Sequence, residues 1–548
     1  MSTSFQPSSK EDSNGTLRSR PSKIPNMPPQ VLRTMTDDGA LKVDDASVSG
    51  TSSGRTTPLP PDAPPSMQSI SQARRQLRAQ QKHRIFPTIE YAARVSHFDP
   101  NSDYHDFRGF FVLFWIGLAI MVITTMLRNL KDTGWPMRAQ VWGLFTPNLS
   151  SLAVSDLLMV SSTALSLPLH RLFRSSNGWL RWRSGGMAVQ SIYQMAWLCF
   201  WVYLPFFLNW TWTAQVYFTL HTLTLFMKMH SYAFYNGHLS ETQRRLWELD
   251  NPATASTDAV LRYPSSSDHL NEIEDEQERR ERESKQQSLA ELREDLAIEL
   301  TSPLGRVTYP QNLTTYNFID YLLCPTLCYE LEYPRTAGIV WSELLWKTLA
   351  VFGCIFLLTV TSEEFILPVL AESAIRLEHV ESYTEFGLVL AESISLLLFP
   401  FMVTFLLVFL VIFEYVLGAF AEITCFADRH FYSDWWNSTD WLEFSREWNV
   451  PVHHFFRRHV YGVSRPHLSR PVATLITFLI SALAHELVMA CITKKLRGYG
   501  FLAQMMQLPI ILLQRTPWIR GRTVFNNICF WISMILGLSM MCALYVLI

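Results

Sequence analysis

One histidine, His485, stands in the middle of an otherwise apolar run, TFLISALAHELVMACI (477–492). An ionisable side chain inside hydrocarbon is costly unless a partner or polar cavity receives it, so by default it marks function. On a helix Thr477, Ser481 and His485 recur every four residues and share one face, a polar lane through apolar surroundings. A neutral imidazole there can take the proton of a hydroxyl as that hydroxyl attacks a carbonyl, the work of a general base. Two other roles fit the same residue types. The histidine can be structural, bonded to a neighbouring helix, or Ser481 and His485 can form a nucleophile pair, although i, i+4 adjacency supplies no third orienting group. Glu486 points about 100° away around the helix and need not touch the ring.

Ahead of this helix lies a polar, aromatic block, FYSDWWNSTDWLEFSREWNVPVHHFFRRHVY (431–461). Phe431, Tyr432, Asp434, Trp435, Trp436 and Asn437 alternate ring and hydrogen-bonding groups, which suits a membrane surface. A basic run follows: Arg446, His453, His454, Arg457, Arg458, His459, Arg465 and Arg470. It reads either as a positive-inside juxtamembrane loop or as a cytosolic vestibule for an anionic substrate with a phosphate-bearing head and a greasy tail. Asn449, just before Pro451, carries an uncharged amide that can orient a base, donate to a developing oxyanion, or simply cap a loop. His453, His454 and His459 match no standard zinc spacing and no Cys or carboxylate completes a set, so no metal is expected.

These groups need elements to hold them. The chain has 548 residues, 48% hydrophobic and only 17% charged, with its apolar residues clustered beyond the needs of one soluble core. Nine apolar segments can be counted: 109–127, 148–169, 187–209, 212–233, 339–360, 387–417, 471–492, 499–513 and 523–548. Stretches near 20 apolar residues are long enough to cross a bilayer as helices, which predicts an all-α polytopic membrane protein. The 387–417 run exceeds one perpendicular span and contains Pro400, predicting tilt or a kink, and 499–513 is short enough to be tilted or re-entrant.

Residues 1–85 are rich in Ser, Pro and charge and read as a disordered cytosolic tail ahead of a membrane domain, 86–548. No cleavable signal peptide opens the sequence, so insertion by the first membrane helix is expected. Two polar segments interrupt the membrane domain, a loop at 236–335 and the block at 418–470. The centre of the first, 272–300, has the composition of a solvated helix. With the tail in the cytosol, Arg171, Arg174, Arg181 and Arg183, both polar segments, and QRTPWIRGR (514–522) fall on the cytosolic side. Against this stand Arg128, Lys131, Arg138 and KKLRG (494–498), which then face the lumen. The formal charge of -2 argues against nucleic acid as a partner. Eight cysteines without a C-x-x-C pair read as reduced and buried.

The motifs F-Y-x-D-W-W-N (431–437), R-E-W-N-x-P-V-H (446–453) and S-A-x-x-H-E (481–486) are similar to those of the membrane-bound O-acyltransferase family. The resemblance is to its acyl-CoA:cholesterol/diacylglycerol acyltransferase branch and covers residues 105–548. M-K-M-H-S-Y-A-F-Y-N-G (227–237) looks most like the fungal sterol O-acyltransferases, and P-T-L-x-Y-x-x-x-Y-P-R-T (325–336) is shared across the branch. The resemblance implies nine membrane helices in the endoplasmic reticulum, a homo-dimer or homo-tetramer, and a reaction chamber within the bilayer. It implies fatty acyl-CoA and a membrane sterol as substrates, with no cofactor or metal. By motif, His485 is the catalytic residue and Asn449 its polar companion. Phe431 to Asn437 belong to the acyl-CoA motif, Gln507 lines the chamber, and Ser481, Arg446 and His453 complete the expected binding set. A diacylglycerol acyltransferase shares the same centre. A lipid or ion transporter would instead explain Asp156, Glu392, Glu414 and His485 as a polar pathway, but no internal repeat is visible.

Overall fold

In hydrocarbon, backbone N–H and C=O groups have no water to bond, so long apolar runs resolve as helices. The computed structural model follows this rule: it has helices throughout and, among the described residues, no strand beyond three isolated bridges. It describes residues 89–137, 143, 147–250 and 293–548, apart from 90, 100, 101, 103–107, 294 and 304. All of these lie in one compact unit, Pro58–Ile548. The expected tail (1–85) and most of the charged 272–300 stretch lie outside the described residues.

Each of the nine apolar segments contains a helix, and among the described residues six helical stretches have the length and hydropathy of a membrane span. These are Gly109–Thr133, Leu149–Ser175, Trp341–Glu378, Tyr383–Ile423, Arg470–Thr493 and Thr523–Leu547. The other three helices are Met187–Phe207, Trp212–Asp250 and Tyr499–Gln514. Five helices frame the polar groups: α1 Trp212–Asp250, α2 Tyr383–Phe409, α3 Arg470–Thr493, α4 Tyr499–Gln514 and α5 Thr523–Leu547. At 39 residues α1 is about 58 Å long at 1.5 Å per residue, so it begins apolar and ends in the polar 227–250 stretch. α4, with 16 residues, reaches only about 24 Å.

α2 runs unbroken through Pro400. A π-helical turn follows it at Leu410–Val416 and buries Glu414. α2 packs on α5, and α3 packs on α4 and α1. All eight cysteines are free, with Cys324, Cys328, Cys354 and Cys491 buried and Cys199 and Cys529 exposed.

Polar segments that the charge pattern places on one side do meet. Arg181 pairs with Glu241 at 2.6 Å, and Arg171 donates to the Leu313 carbonyl at 2.8 Å. Buried Arg458 donates to Glu330 at 2.9 Å and to the Tyr329 carbonyl at 3.0 Å. The Trp441 N–H donates to Gln514. In the segment expected to face the lumen, Arg128 and Asn129 share Glu364.

The 227–237 and 325–336 motifs, with the residues just ahead of the second, meet in one buried network. Lys228 Nζ donates to the carbonyls of Tyr321 (3.0 Å) and Cys324 (2.7 Å). Asn312 bridges Asn236 and Tyr329, and Ser231 Oγ accepts from the Tyr329 N–H. Gly237 ends the 227–237 motif under the Trp182 indole, and a Cβ there would lie 2.0 Å from that ring.

Candidate active site

α3 starts with Pro471 in its first turn, where the missing N–H costs nothing, and stops at Lys494, which takes a left-handed conformation at φ 55°. Within it, His485 is exposed, and its Nδ1 lies 2.8 Å from the Ser481 carbonyl oxygen. A carbonyl only accepts, so this bond places the proton on Nδ1 and leaves the Nε2 lone pair free in the neutral ring. The Ser481 hydroxyl is not the partner of the imidazole, so the geometry does not build a Ser–His nucleophile pair. Instead Ser481 Oγ receives the Gln504 amide at 3.4 Å, and Gln504 Oε1 receives the Gln507 amide at 3.0 Å. Ser481, His485 and Gln507 thus come together through Gln504 of α4. Sequence reasoning missed Gln504, although its i−3 spacing from Gln507 puts both amides on one helix face.

Glu486 points away from His485, as helix geometry requires. Its carboxylate accepts the Gly498 N–H (2.7 Å) and the Phe501 N–H (3.0 Å) at the start of α4, and the Tyr545 hydroxyl (2.7 Å) of α5. A negative group beside unpaired N–H donors caps a helix from outside and complements its dipole. The residue next to the candidate base therefore ties α3, α4 and α5 together.

Asn449 caps the short helix Val450–Phe455, its Oδ1 accepting the Val452 N–H at 3.1 Å. No hydrogen bond joins Asn449 to His485. The Val450 N–H donates to the Phe431 carbonyl (3.0 Å) and the Ser433 N–H to that of Glu447 (2.9 Å), so the 431–437 and 446–453 motifs are stitched to each other. Phe431, Tyr432 and Trp435 are buried, and Trp435 lies edge-on to Phe405, Phe409 and Trp448. The Trp436 carbonyl accepts from Asn527 and Trp531 of α5, while Asn437 is exposed and Asp434 half-buried.

The basic run divides. Arg458 and His459 face inward, the latter bonded to Ser231 at 2.9 Å, whereas Arg446 and Arg457 are exposed. Burial, aided by Arg457 and Arg446, lowers His453 to about 4, and burial with His453 and Arg457 lowers His454 to about 3. Both rings are neutral at pH 7, so positive charge on this face comes from the arginines. Burial, then Glu443 and Asp434, raises Glu447 to about 7.

The carboxylates of the transporter reading are paired. Asp156 meets His221 Nδ1 at 2.6 Å, Glu392 meets Arg376 at 2.7 Å, and Glu414 meets Lys347 at 3.0 Å. Among the described residues no cluster of three His, Cys, Asp or Glu could hold a metal ion.

Residues 191–547 match the profile of MBOAT, the membrane-bound O-acyltransferase family. The chain is 40% identical to the probable sterol O-acyltransferase 2 of Schizosaccharomyces pombe, over 81% of this chain and 87% of that protein. It is 32% identical to sterol O-acyltransferase 2 of Candida albicans, over 84% and 78%. Diacylglycerol O-acyltransferase 1 of Dictyostelium discoideum is 34% identical over only 44% of this chain and 38% of its own length. With motif, membrane helices and similarity over about four-fifths of the chain in agreement, this chain belongs to the membrane-bound O-acyltransferase family.

Proposed function

We propose that the protein is an acyl-CoA:sterol O-acyltransferase with His485 as its general base. Nε2 of His485 takes the proton of the sterol 3-hydroxyl, and the oxygen attacks the thioester carbonyl. The tetrahedral adduct collapses, the C–S bond breaks, and the CoA thiolate leaves and regains a proton from the imidazolium. The thioester is already activated, so the route uses no cofactor, metal or covalent enzyme intermediate. One observation carries the assignment of the base: an exposed ring in the middle of an apolar helix, with Nδ1–H committed to its own helix and Nε2 unspent. The amides of Gln504 and Gln507 are the nearest donors along the Ser481 chain and are suited to the oxyanion, with Asn449 as the accompanying amide of the motif loop.

The acyl-CoA head belongs on the 431–457 face, where Arg446 and Arg457 supply charge, and the sterol approaches from the bilayer. Placement in the endoplasmic reticulum, nine spans made by adding Met187–Phe207, α1 and α4 to the six, and assembly as a homo-dimer or homo-tetramer complete the reading. The choice of sterol over diacylglycerol rests on relatives that span about four-fifths of the chain rather than less than half. Purified protein given labelled oleoyl-CoA with either ergosterol or diacylglycerol tests it: steryl ester is expected, and triacylglycerol as the main product would overturn the sterol assignment.

A further inference from the structure

Ahead of the first span, residues 91–99 do not simply lead into the membrane. Arg94 makes a two-pronged bond to buried Asp428, Nε to Oδ1 at 3.0 Å and the terminal nitrogen to Oδ2 at 2.6 Å. The Ala92 N–H reaches the same carboxylate at 3.1 Å. Backbone bonds flank the pair, from the Arg94 N–H to the Ala427 carbonyl (3.1 Å) and from the Arg429 N–H to the Arg94 carbonyl (2.9 Å). Two residues on, the Ser96 hydroxyl is buried 2.9 Å from that of Tyr432, and both converge on Glu414 in the π-helical turn, which Lys347 neutralises. His97 then lies 5.6 Å from the Tyr432 ring and 6.0 Å from Trp436, and Phe98 packs on both.

The loop 428–437 has little regular structure of its own: one turn at Trp435–Asn437. Its side chains hold one arrangement only where neighbours bond them, and short paired segments of this kind are otherwise entropically costly. Besides its backbone bonds to the 446–453 motif, the loop is held by α5 through Asn527 and Trp531, and by the 91–99 segment through Arg94 and Ser96. The segment lies outside the 191–547 region that matches the family profile.

We propose that residues 91–99 are a positioning strap for the acyl-CoA motif, fastened by Arg94 on Asp428 and by Ser96 on Glu414 and Tyr432. This rests on the reading that 431–437 handles acyl-CoA. The strap couples the chain ahead of the first span to the donor site.

The test uses the full-length protein, purified in detergent, with Arg94→Gln, Ser96→Ala and the conservative Arg94→Lys beside the unmodified chain. Steady-state constants for both substrates and the melting temperature are measured. Arg94→Gln and Ser96→Ala are expected to raise KM for acyl-CoA about five- to ten-fold, the range of a lost bond of about 1–1.4 kcal/mol, and Arg94→Lys to recover part of it. KM for the sterol and kcat should stay near their original values, even where losing the partner of buried Asp428 lowers the melting temperature. An unchanged acyl-CoA KM overturns the strap, and so does a fall in melting temperature with every constant moving together. Trp436→Ala in parallel separates the premises. If it shifts acyl-CoA KM while the strap variants do not, only the strap fails. If it shifts the sterol constant instead, the acyl-CoA reading of the motif fails.

Discussion

A histidine that donates from Nδ1 to its own helix's carbonyl is oriented without help from a carboxylate. An imidazole held this way has the orientation that the proposed general base needs. Replacing His485 with Ala should lower kcat by about 100- to 10,000-fold, the usual contribution of a general base, while the protein remains membrane-inserted. Turnover assays paired with carbonate-extracted membranes check both halves. Gln504→Ala and Gln507→Ala should each lower kcat about ten-fold with little change in either KM, since a bond to developing charge is lost only in the transition state. Steady-state rates on purified variants decide it. His485 stands out in the sequence because one imidazole among apolar residues has few explanations, and the structure sets it exposed in mid-helix. Gln504 does not, since a glutamine within a polar-apolar mixture such as Ala-Gln-Met-Met-Gln looks like any half-lined helix until the partner helix is in place.

Among the elements, helix existence followed from apolar run length, because hydrocarbon leaves no other way to satisfy the backbone. What could not be read was the π-helical turn at Leu410–Val416, as one extra residue per turn leaves the apolar pattern of LVIFEYV unchanged. The tie from Glu486 to the start of α4 was also hidden, since capping from a neighbouring helix leaves no local signature. Glu486→Gln should destabilise the protein by about 1–3 kcal/mol, because charge-assisted bonds to two N–H groups are weakened inside the bundle. A lower melting temperature, with lower kcat from misplaced α4 amides, is the expected result. In the motif loop, Glu447 binds its proton more tightly folded than unfolded. Its contribution is therefore fully present below its ordinary range near 4.5 and is lost as pH rises through about 7. Glu447→Gln should flatten the melting-temperature profile between about pH 5 and 8, as scanning fluorimetry at stepped pH values would show.

Across the whole molecule, the segments gathered by Arg181–Glu241, Arg458–Glu330 and Arg94–Asp428 lie far apart in sequence, so no local pattern announces them. The charge rule places them on one side; only the fold shows that they lock to each other. Arg458 is the clearest case, surface charge by sequence pattern yet buried against Glu330 and the Tyr235 ring. Arg458→Ala takes the countercharge from the buried Glu330 carboxylate, which the Ile89 N–H also reaches at 3.0 Å, and should cost about 3–5 kcal/mol, seen as loss of folded protein in detergent by size-exclusion chromatography.

Gly237 shows how tightly that side is fitted. A glycine inside a long helix sacrifices about 1 kcal/mol of helical preference relative to alanine, and here an indole occupies the space a methyl would need. Adding that one carbon should therefore yield a heat-sensitive allele: Gly237→Ala cells making normal steryl ester when cool and little when warmed, with the reaction chemistry itself untouched.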